Sequence, residues 1–207
     1  MLKPYYNENK LEVGIDEAGR GPLFGRVYVG CAILSPEDNG FVDINDSKKL
    51  TERKRLIAYD YIKENAIDYS VYYADEKVID DINIFQATYN GMHEALNKLI
   101  VKPDHILVDG CYFYDYYDSE NNKIPHTCIE KGDSLYSSIA AASILAKVER
   151  DNYIYDLCKN NPELDEHYGI KSNKGYGAKR HLDGIKTHGI TKWHRKTFGI
   201  CKKFASD

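Results

Sequence analysis

Two adjacent acidic residues, Asp16 and Glu17, end an alternating apolar segment, and the Gly-Arg-Gly sequence of residues 19–21 follows almost at once. Each of two neighbouring carboxylates disfavours ionisation of the other, and a divalent cation offsets that repulsion. The two glycines let a ligand approach the backbone closely, and Arg20 offers a planar guanidinium that matches a phosphate group. The pattern predicts a metal site beside a phosphodiester.

Two further acids occupy similar positions. Asp109 follows the short apolar segment 106–108, and Asp133 follows a predicted strand at 127–130. A single acid at a strand end is more often an ordinary turn or cap residue. Several such acids favour a shared two-metal site, because active sites of open α/β sheets lie beyond the strand ends. The predicted catalytic metal ligands are therefore Asp16, Glu17, Asp109 and Asp133.

Asp151 competes with Asp133 for the fourth position, because both flank a predicted helix at 135–158. Their separation of 18 residues, at a rise of ~1.5 Å each, places them about 27 Å apart in a continuous helix. Both cannot contact one metal pair. Asp133 follows a strand closely and is able to cap the helix. We therefore predict that Asp133 is the ligand and that Asp151 pairs with neighbours along the helix.

The composition is that of a globular protein of 207 residues, with 43% hydrophobic and 29% charged residues. This length suits one packed domain with a small appendage. The five cysteines contain no Cys-x-x-Cys pair, which favours free thiols in a reducing compartment over disulfides or zinc. No signal peptide or membrane-spanning apolar run is found, so a cytoplasmic location without membrane contact is expected.

The formal net charge of −4 hides a segregation of charge along the chain. Residues 169–203 contain ten lysines and arginines and one acid, whereas residues 104–133 contain seven acids and two lysines. This asymmetry predicts a basic surface that faces an acidic pocket. The alternative of a solvated basic helix stays open on charge alone.

Apolar periodicity places strands and helices around the acids. Strands are predicted at 11–15, 27–34, 67–74, 106–108 and 127–130. Helices are predicted at 51–65, 83–100 and 135–158, with short helical pieces at 179–188 and 191–198 and a long loop at 111–125. Thr51 and Asn83 are the predicted N-caps. The predicted buried face of the first helix contains Leu56, Ile57 and Tyr61.

This order of elements predicts an α/β fold, a mixed sheet flanked by helices. The helix at 135–158 is rich in alanine and serine, and small side chains allow it to pack closely on a sheet. A catalytic domain is expected at 1–160 and a helical extension that packs on it at 161–207.

Seven short motifs follow one another between about residue 11 and residue 199. They are the segments 14–22, 46–50, 108–110, 131–133, 141–151, 174–177 with His181, and 194–198. In this order they resemble ribonuclease HII, the type 2 ribonuclease H family. The resemblance covers nearly the whole chain and implies a ribonuclease H-like fold with a helical C-terminal extension.

The resemblance also implies a reaction. It implies Mg²⁺- or Mn²⁺-dependent endonucleolytic cleavage of RNA in RNA–DNA duplexes and cleavage 5′ to single ribonucleotides in duplex DNA. The ends are a 3′-hydroxyl and a 5′-phosphate. By position, the four acids correspond to the metal-binding tetrad. Gly19, Arg20 and Gly21 correspond to a turn that senses the 2′-hydroxyl, and Tyr176 to an aromatic side chain that packs on the adjacent deoxyribose.

Further residues are predicted to contact substrate phosphates. Ser47, Lys48 and Lys49 precede a helix whose N-terminus favours an anion, with solvated loop lysines as the alternative. The predicted contacts along the duplex backbone are Lys147, Lys174, Lys179, Arg180 and Arg195. His181 is either a phosphate contact or a hydrogen-bonded structural residue.

The chain departs from the family pattern at 111–125, which is longer and more aromatic, and at Thr197, where serine is usual. No clamp-binding peptide is recognised after Phe198, and a monomer is expected. Two alternative functions stay open. One is a nuclease for all-DNA duplexes, and the other is a non-catalytic nucleic-acid-binding module, whose signature would be the loss of a tetrad carboxylate.

Overall fold

Five strands form a mixed sheet in the part of the chain that this computed structural model describes, residues 2–37 and 50–205. They are β1 (Glu12–Ala18), β2 (Val27–Ile33), β3 (Asp68–Ala74), β4 (His105–Asp109) and β7 (His126–Ile129). Their order is β3-β2-β1-β4-β7, in which β1 pairs antiparallel to β2 and parallel to β4. The carboxyl ends of β1 and β4 therefore lie at the same edge of the sheet.

The helices found in the described residues connect the strands and cover both faces of the sheet. They are α1 (Glu52–Asn65), α2 (Glu76–Asn97), α3 (Ser137–Asn160), α4 (Glu163–Tyr168), α5 (Ile170–Asn173) and α6 (Lys179–His188). Short 3-10 helices occupy Gly132–Ser134 and Gly199–Lys203. Thr51 caps α1 as predicted, because its side chain accepts a hydrogen bond from the Lys54 N–H at 3.3 Å.

The two faces of the sheet carry separate hydrophobic clusters, since successive residues of a strand point to opposite faces. Val13 of β1 packs in a cluster with Met92 of α2 on one face. Ala32 of β2 packs in a second cluster with Ile144 of α3 and with α1 on the other face. The predicted mixed sheet flanked by helices is confirmed.

Helix α3 lies in backbone contact with β1 and β2. A Cβ atom at Gly14 would lie 2.1 Å from the carbonyl carbon of Ser138, and one at Gly30 would lie 2.3 Å from the carbonyl oxygen of Ala142. No side chain fits at either strand position without moving the helix. The close packing predicted from the small residues of this helix is confirmed.

Helix α2 is longer at its start than predicted and contains a kink. Asn83 has φ 68° and ψ 162°, and its side chain accepts a hydrogen bond from the Gln86 N–H at 3.1 Å. Asn83 therefore caps the second part of the helix as predicted. The prediction missed the first turns, which begin after Asp75, a second capping residue.

The segment 111–125 also contains more regular structure than the predicted loop. β5 (Tyr116–Tyr117) and β6 (Lys123–Ile124) pair antiparallel in a short hairpin. Lys123 holds Asp115 in an ion pair at 2.8 Å beside it. The pattern was missed because each strand is only two residues long.

The predicted buried face of α1 is confirmed only at Tyr61, which is partly buried and packs against the second hydrophobic cluster. Leu56 and Ile57 are exposed, whereas Ala58, Tyr59 and Ile62 are buried. Helix α1 packs against α3, where the Tyr59 hydroxyl donates a hydrogen bond to the Glu149 carboxylate. That polar contact orients the helix in a way that apolar spacing does not reveal.

The helical piece predicted at 191–198 is also wrong. The Gly25 N–H donates to the Trp193 carbonyl at 2.9 Å, and the Arg195 N–H donates to the Leu23 carbonyl at 2.9 Å. These bonds pair the segment with the loop after β1, and a helix would require the same backbone groups for itself.

The remainder of the C-terminal region is helical, as predicted. Phe24 and Ile154 pack with Leu164, Ile170 and Ile185 in a third hydrophobic cluster, which joins the region to α3. The division into two domains near residue 160 stays a prediction. No helix among the described residues has the length and apolar character to span a membrane.

We predict that Gly30→Ala lowers the free energy of unfolding by about 3 kcal/mol, because the new methyl group displaces the backbone of α3. Urea denaturation followed by circular dichroism measures this loss. Gly91→Ala is the matched control, since its Cβ would meet its nearest neighbours at an ordinary 3.4 Å. The control variant should stay within about 1 kcal/mol of the parent protein. Equal stability of both variants would contradict the proposed contact.

Candidate active site

Three of the four predicted metal ligands lie around the carboxyl ends of β1 and β4. Ile15 pairs with Val108 in the parallel register, so Asp16 and Asp109 follow on neighbouring strands. Glu17 is adjacent to Asp16 on β1. The Asp109 carboxylate accepts a hydrogen bond from the Gly132 N–H at 2.7 Å. This bond ties β4 to the turn that carries Asp133, which is buried.

Asp16 is a buried carboxylate among other negative charges. Its burial, followed by the charges of Glu17 and Asp109, raises the pKa of Asp16 well above its ordinary value of 3.8. Hydrogen bonds from the Ser143 side chain and from the Glu17 N–H, the latter 2.7 Å long, act in the opposite direction. A cation bound here would relieve the repulsion that remains.

The donor chemistry of these acids fits a hard divalent cation, since carboxylate oxygens are the ligands that Mg²⁺ and Mn²⁺ prefer. Within residues 2–37 and 50–205, no three acidic, histidine or cysteine side chains are already gathered to hold a metal ion.

A cleft of about 170 Å³ opens beside Asp16. It is lined by Asp16, Glu17, Ala18, Gly19, Arg55, Ser143, Lys147, Arg150 and Tyr176. The cleft thus joins the first motif of the chain to α3 and to the turn at 174–177. It combines carboxylates, cationic side chains and one exposed aromatic ring.

Backbone conformation explains the glycines on one wall of this cleft. Gly19 has φ 96°, and a Cβ there would lie 2.2 Å from the Nε atom of Arg150. A Cβ at Gly21 would point at Tyr176, 3.5 Å from its Cε1 atom. The ring of Tyr176 is 49% exposed. The glycine turn and the tyrosine therefore face each other across the opening of the cleft.

Arg195 was predicted to contact substrate phosphates. Its side chain is fully buried and donates to the carbonyl oxygens of Gly19 at 2.6 Å, Arg20 at 2.9 Å and Gly25 at 2.9 Å. The guanidinium therefore binds the glycine turn, and this position does not favour a direct contact with a phosphate.

For His181 the sequence left open a phosphate contact or a hydrogen-bonded structural role. The side chain is fully buried. Its Nδ1 atom lies 2.9 Å from the Tyr176 carbonyl oxygen, and its Nε2 atom lies 3.1 Å from Nε2 of His194. Of the two interpretations left open by the sequence, the hydrogen-bonded histidine is the one observed.

The predicted pairing of Asp151 along α3 is confirmed. Its carboxylate pairs with Lys147 at 2.7 Å and lies 3.9 Å from Arg55. Lys174 places its ammonium group 3.4 Å from the centre of the Tyr155 ring and donates to the Lys171 carbonyl at 2.9 Å. The roles of Lys147 and Lys174 as phosphate contacts stay predictions.

Two further predicted phosphate contacts, Lys179 and Arg180, bind other groups of this chain. Lys179 is exposed and pairs with Asp183 at 2.7 Å, whereas Arg180 donates to the carbonyls of Asp165 and Glu166. Neither observation tests a contact with a duplex. The predictions for Ser47, Lys48 and Lys49 lie outside the described residues.

Arg150 is one of the cleft residues that the sequence analysis missed, together with Arg55 and Ser143. Arg150 is 1% exposed and donates to the carbonyls of Lys174 at 2.8 Å, Arg26 at 3.2 Å and Phe24 at 3.4 Å. A signal was present, because Arg150 follows Ser143 by two helical turns and so shares its sheet-facing side of α3.

The fold and the acids at the strand ends place the chain among ribonuclease H-like nucleases. The crystal structure of ribonuclease H2 from Pyrococcus horikoshii OT3 matches 93% of this chain and 96% of its own, with a TM-score of 0.77 and 26% identity. A second structure, ribonuclease HII of Archaeoglobus fulgidus in a complex with PCNA, matches with a TM-score of 0.72 and 24% identity, covering 91% and 95% of the two chains.

Sequence comparison gives the family. The sequence model described as Ribonuclease HII matches residues 13–201. Ribonuclease HII of Parabacteroides distasonis is 47% identical over 97% of this chain and 96% of its own, and that of Phocaeicola vulgatus is 44% identical over 97% and 94%. The chain belongs to the ribonuclease HII family. It is an endoribonuclease, a hydrolase that acts on RNA–DNA hybrids and depends on divalent metal ions.

We predict that Asp16→Asn raises the free energy of unfolding of the metal-free protein, because the amide carries no charge to bury beside Glu17 and Asp109. The raised pKa means that ionised Asp16 costs the folded state free energy at pH 7. Urea denaturation in EDTA at pH 7 measures the change. Asp151→Asn, which loses the Lys147 ion pair, should instead be less stable than the parent protein. Destabilisation by Asp16→Asn would show that the carboxylates do not repel one another.

Proposed function

We propose that this enzyme cleaves duplex DNA on the 5′ side of single embedded ribonucleotides, in addition to RNA–DNA hybrids. The observation that carries the proposal is the pairing of the glycine turn with Tyr176 across the cleft that contains Asp16 and Glu17. The glycine turn forms one wall of the cleft from backbone atoms, and the ring of Tyr176 forms the other. In such a groove the polar backbone groups of the turn can contact the ribose, and the ring of Tyr176 can pack against the neighbouring deoxyribose.

The backbone of the turn is arranged to read a hydroxyl group. The carbonyls of Gly19 and Arg20 are occupied by Arg195. Among the described residues, no hydrogen bond from the N–H of Arg20 or Gly21 is found, so both donors remain available to a ligand. A 2′-hydroxyl donates and accepts, which lets close polar groups distinguish RNA from DNA at one nucleotide.

We propose that Asp16, Glu17, Asp109 and Asp133 hold two Mg²⁺ or Mn²⁺ ions. When bound, such ions supply Lewis-acid stabilisation of the attacking water and of the leaving 3′-oxygen, giving 3′-hydroxyl and 5′-phosphate ends. The side chains of Arg55 and Lys147 line the same cleft and offset the phosphate charge. Arg20 is exposed and lies 3.4 Å from the Glu17 carboxylate, within reach of a bound strand.

A nuclease for all-DNA duplexes would keep the same acids, but it would not need the glycine turn and Tyr176 to recognise a ribose. The backbone conformation of Gly19 and the exposed ring of Tyr176 therefore favour the ribose-directed reaction. A non-catalytic module is not favoured, because all four carboxylates are present and the family is enzymatic.

The first test of this proposal uses three end-labelled duplexes: DNA with one ribonucleotide, a continuous RNA–DNA hybrid, and DNA alone. With Mg²⁺ or Mn²⁺ we expect cleavage of the first two and none of the third, and EDTA should stop both reactions. Asp133→Asn should lower kcat by about 100-fold or more, since it removes a ligand of the proposed ions. Asp151→Asn should retain activity within about threefold once folded. The reverse ranking would place the site at the other end of α3.

The second test concerns the tyrosine wall. Tyr176→Ala should lower kcat/KM for a single ribonucleotide in DNA by about tenfold more than for the continuous hybrid, because it removes the ring proposed to pack on the neighbouring deoxyribose; tenfold corresponds to about 1.4 kcal/mol. Tyr176→Phe, the control variant, keeps the ring and should behave like the parent protein. Equal losses on both substrates in Tyr176→Ala would remove the sugar-packing role.

A further inference from the structure

The segment 191–198 contacts both sides of the proposed sugar-binding groove, which are the glycine turn at 19–21 and the turn that contains Tyr176. Its Arg195 side chain takes the carbonyls of Gly19, Arg20 and Gly25, and its backbone pairs with Leu23 and Gly25. The same segment contains His194, which is buried against His181. One short stretch of chain is therefore bonded to the glycine turn on one side and reaches the tyrosine turn on the other.

The hydrogen bonds through the two histidines have one consistent direction. The Thr191 N–H can only donate, so Nδ1 of His194, 2.9 Å away, is unprotonated. His194 then carries its proton on Nε2 and donates to Nε2 of His181 at 3.1 Å. The Tyr176 carbonyl can only accept, so His181 donates to it from Nδ1 at 2.9 Å. Both histidines are neutral, and the chain of bonds ends on the backbone of Tyr176.

We propose that the segment 191–198 positions the residues that discriminate between sugars. Arg195 fixes the backbone of the glycine turn at 19–21, and His194, acting through His181, fixes the turn that contains Tyr176. This inference rests on the proposed function, because it assigns the cause of the groove's shape. Arg195 and the two histidines touch no substrate and act through the residues that do. The two walls then hold a fixed separation because one segment is bonded to both.

The burial of Arg195 supports a role in geometry. Burial, followed by the charge of Arg150, lowers the pKa of Arg195 to about 9. No ion pair of Arg195 with a carboxylate is found in the described part of the chain, where its hydrogen bonds go to carbonyls. A buried charge is by itself weak evidence for a stabilising role. The guanidinium orients three carbonyl groups. In this orientation the N–H groups of the turn stay available to the ligand.

The test compares cleavage of a single ribonucleotide in DNA with cleavage of a continuous hybrid. Arg195→Lys retains charge but its one ammonium group cannot hold three carbonyls in a fixed fork. His181→Leu removes the bond to the Tyr176 carbonyl, whereas His181→Asn places an amide donor near the former Nδ1 position. We expect the ratio of kcat/KM values, single ribonucleotide over hybrid, to fall about tenfold in Arg195→Lys and His181→Leu. His181→Asn should restore it, and the Mg²⁺ concentration for half-maximal rate should not move.

A stability control separates positioning from simple loosening of the fold. Ile185 is fully buried in the cluster that contains Phe24 and Leu164. Ile185→Val should lower the melting temperature without changing the substrate ratio. Amide hydrogen exchange is a second readout, independent of activity, and exchange in the peptide that covers 19–26 should accelerate in Arg195→Lys. If that variant does not fold, the two His181 variants decide the question.

The outcomes distinguish this inference from the proposed function. A parent protein that cleaves hybrids but not single ribonucleotides overturns the proposed function, and hydrogen exchange at 19–26 then decides whether Arg195 positions the turn. A parent protein that cleaves both, with an unchanged substrate ratio in Arg195→Lys and His181→Leu, overturns the positioning role alone. Unchanged exchange at 19–26 in Arg195→Lys overturns it as well.

Discussion

The backbone contact between α3 and the first two strands determines where every other part of the site lies. Gly14 and Gly30 leave no room for a Cβ, so the helix is seated directly on the sheet. From that position Ser143 reaches Asp16, and Arg150 reaches the loop after β1. A side chain at either glycine would push the helix outward and lengthen both contacts.

The turn after β1 separates the acidic side chains at the strand ends from two buried arginines. The carboxylates lie at the strand ends, where Asp16 is held at an unfavourable pKa by its burial and by Glu17 and Asp109. Beneath the neighbouring turn, Arg150 and Arg195 are buried with their guanidinium groups on carbonyl oxygens. Asp16 and Glu17 therefore face the cleft, whereas these two arginines bind the backbone. This separation explains how a protein of net charge −4 can still present an ordered site to a polyanion.

The sequence was informative where local pattern and chemistry coincide. Acids that follow apolar strands, and a helix rich in small residues, predicted the sheet edge and its close packing. It was uninformative where burial depends on distant partners. Arg195 and His181 look like surface cations in a basic segment, and only the loop carbonyls of Gly19 and Arg20 and the turn at Tyr176 make them interior residues. The same holds for α1, whose buried side was fixed by the contact of Tyr59 with Glu149.

The sequence distance between Arg195 and its acceptors has a consequence for synthesis. The turn that carries Gly19 and Arg20 is made early, but the guanidinium that holds its carbonyls stands 176 and 175 positions later. Contacts of such long range close only when both ends of the loop between them exist. A chain translated only as far as Asp133 therefore has the residues of its strands before the glycine turn is bonded to Arg195. The turn gains these hydrogen bonds only after residue 195 has joined the fold.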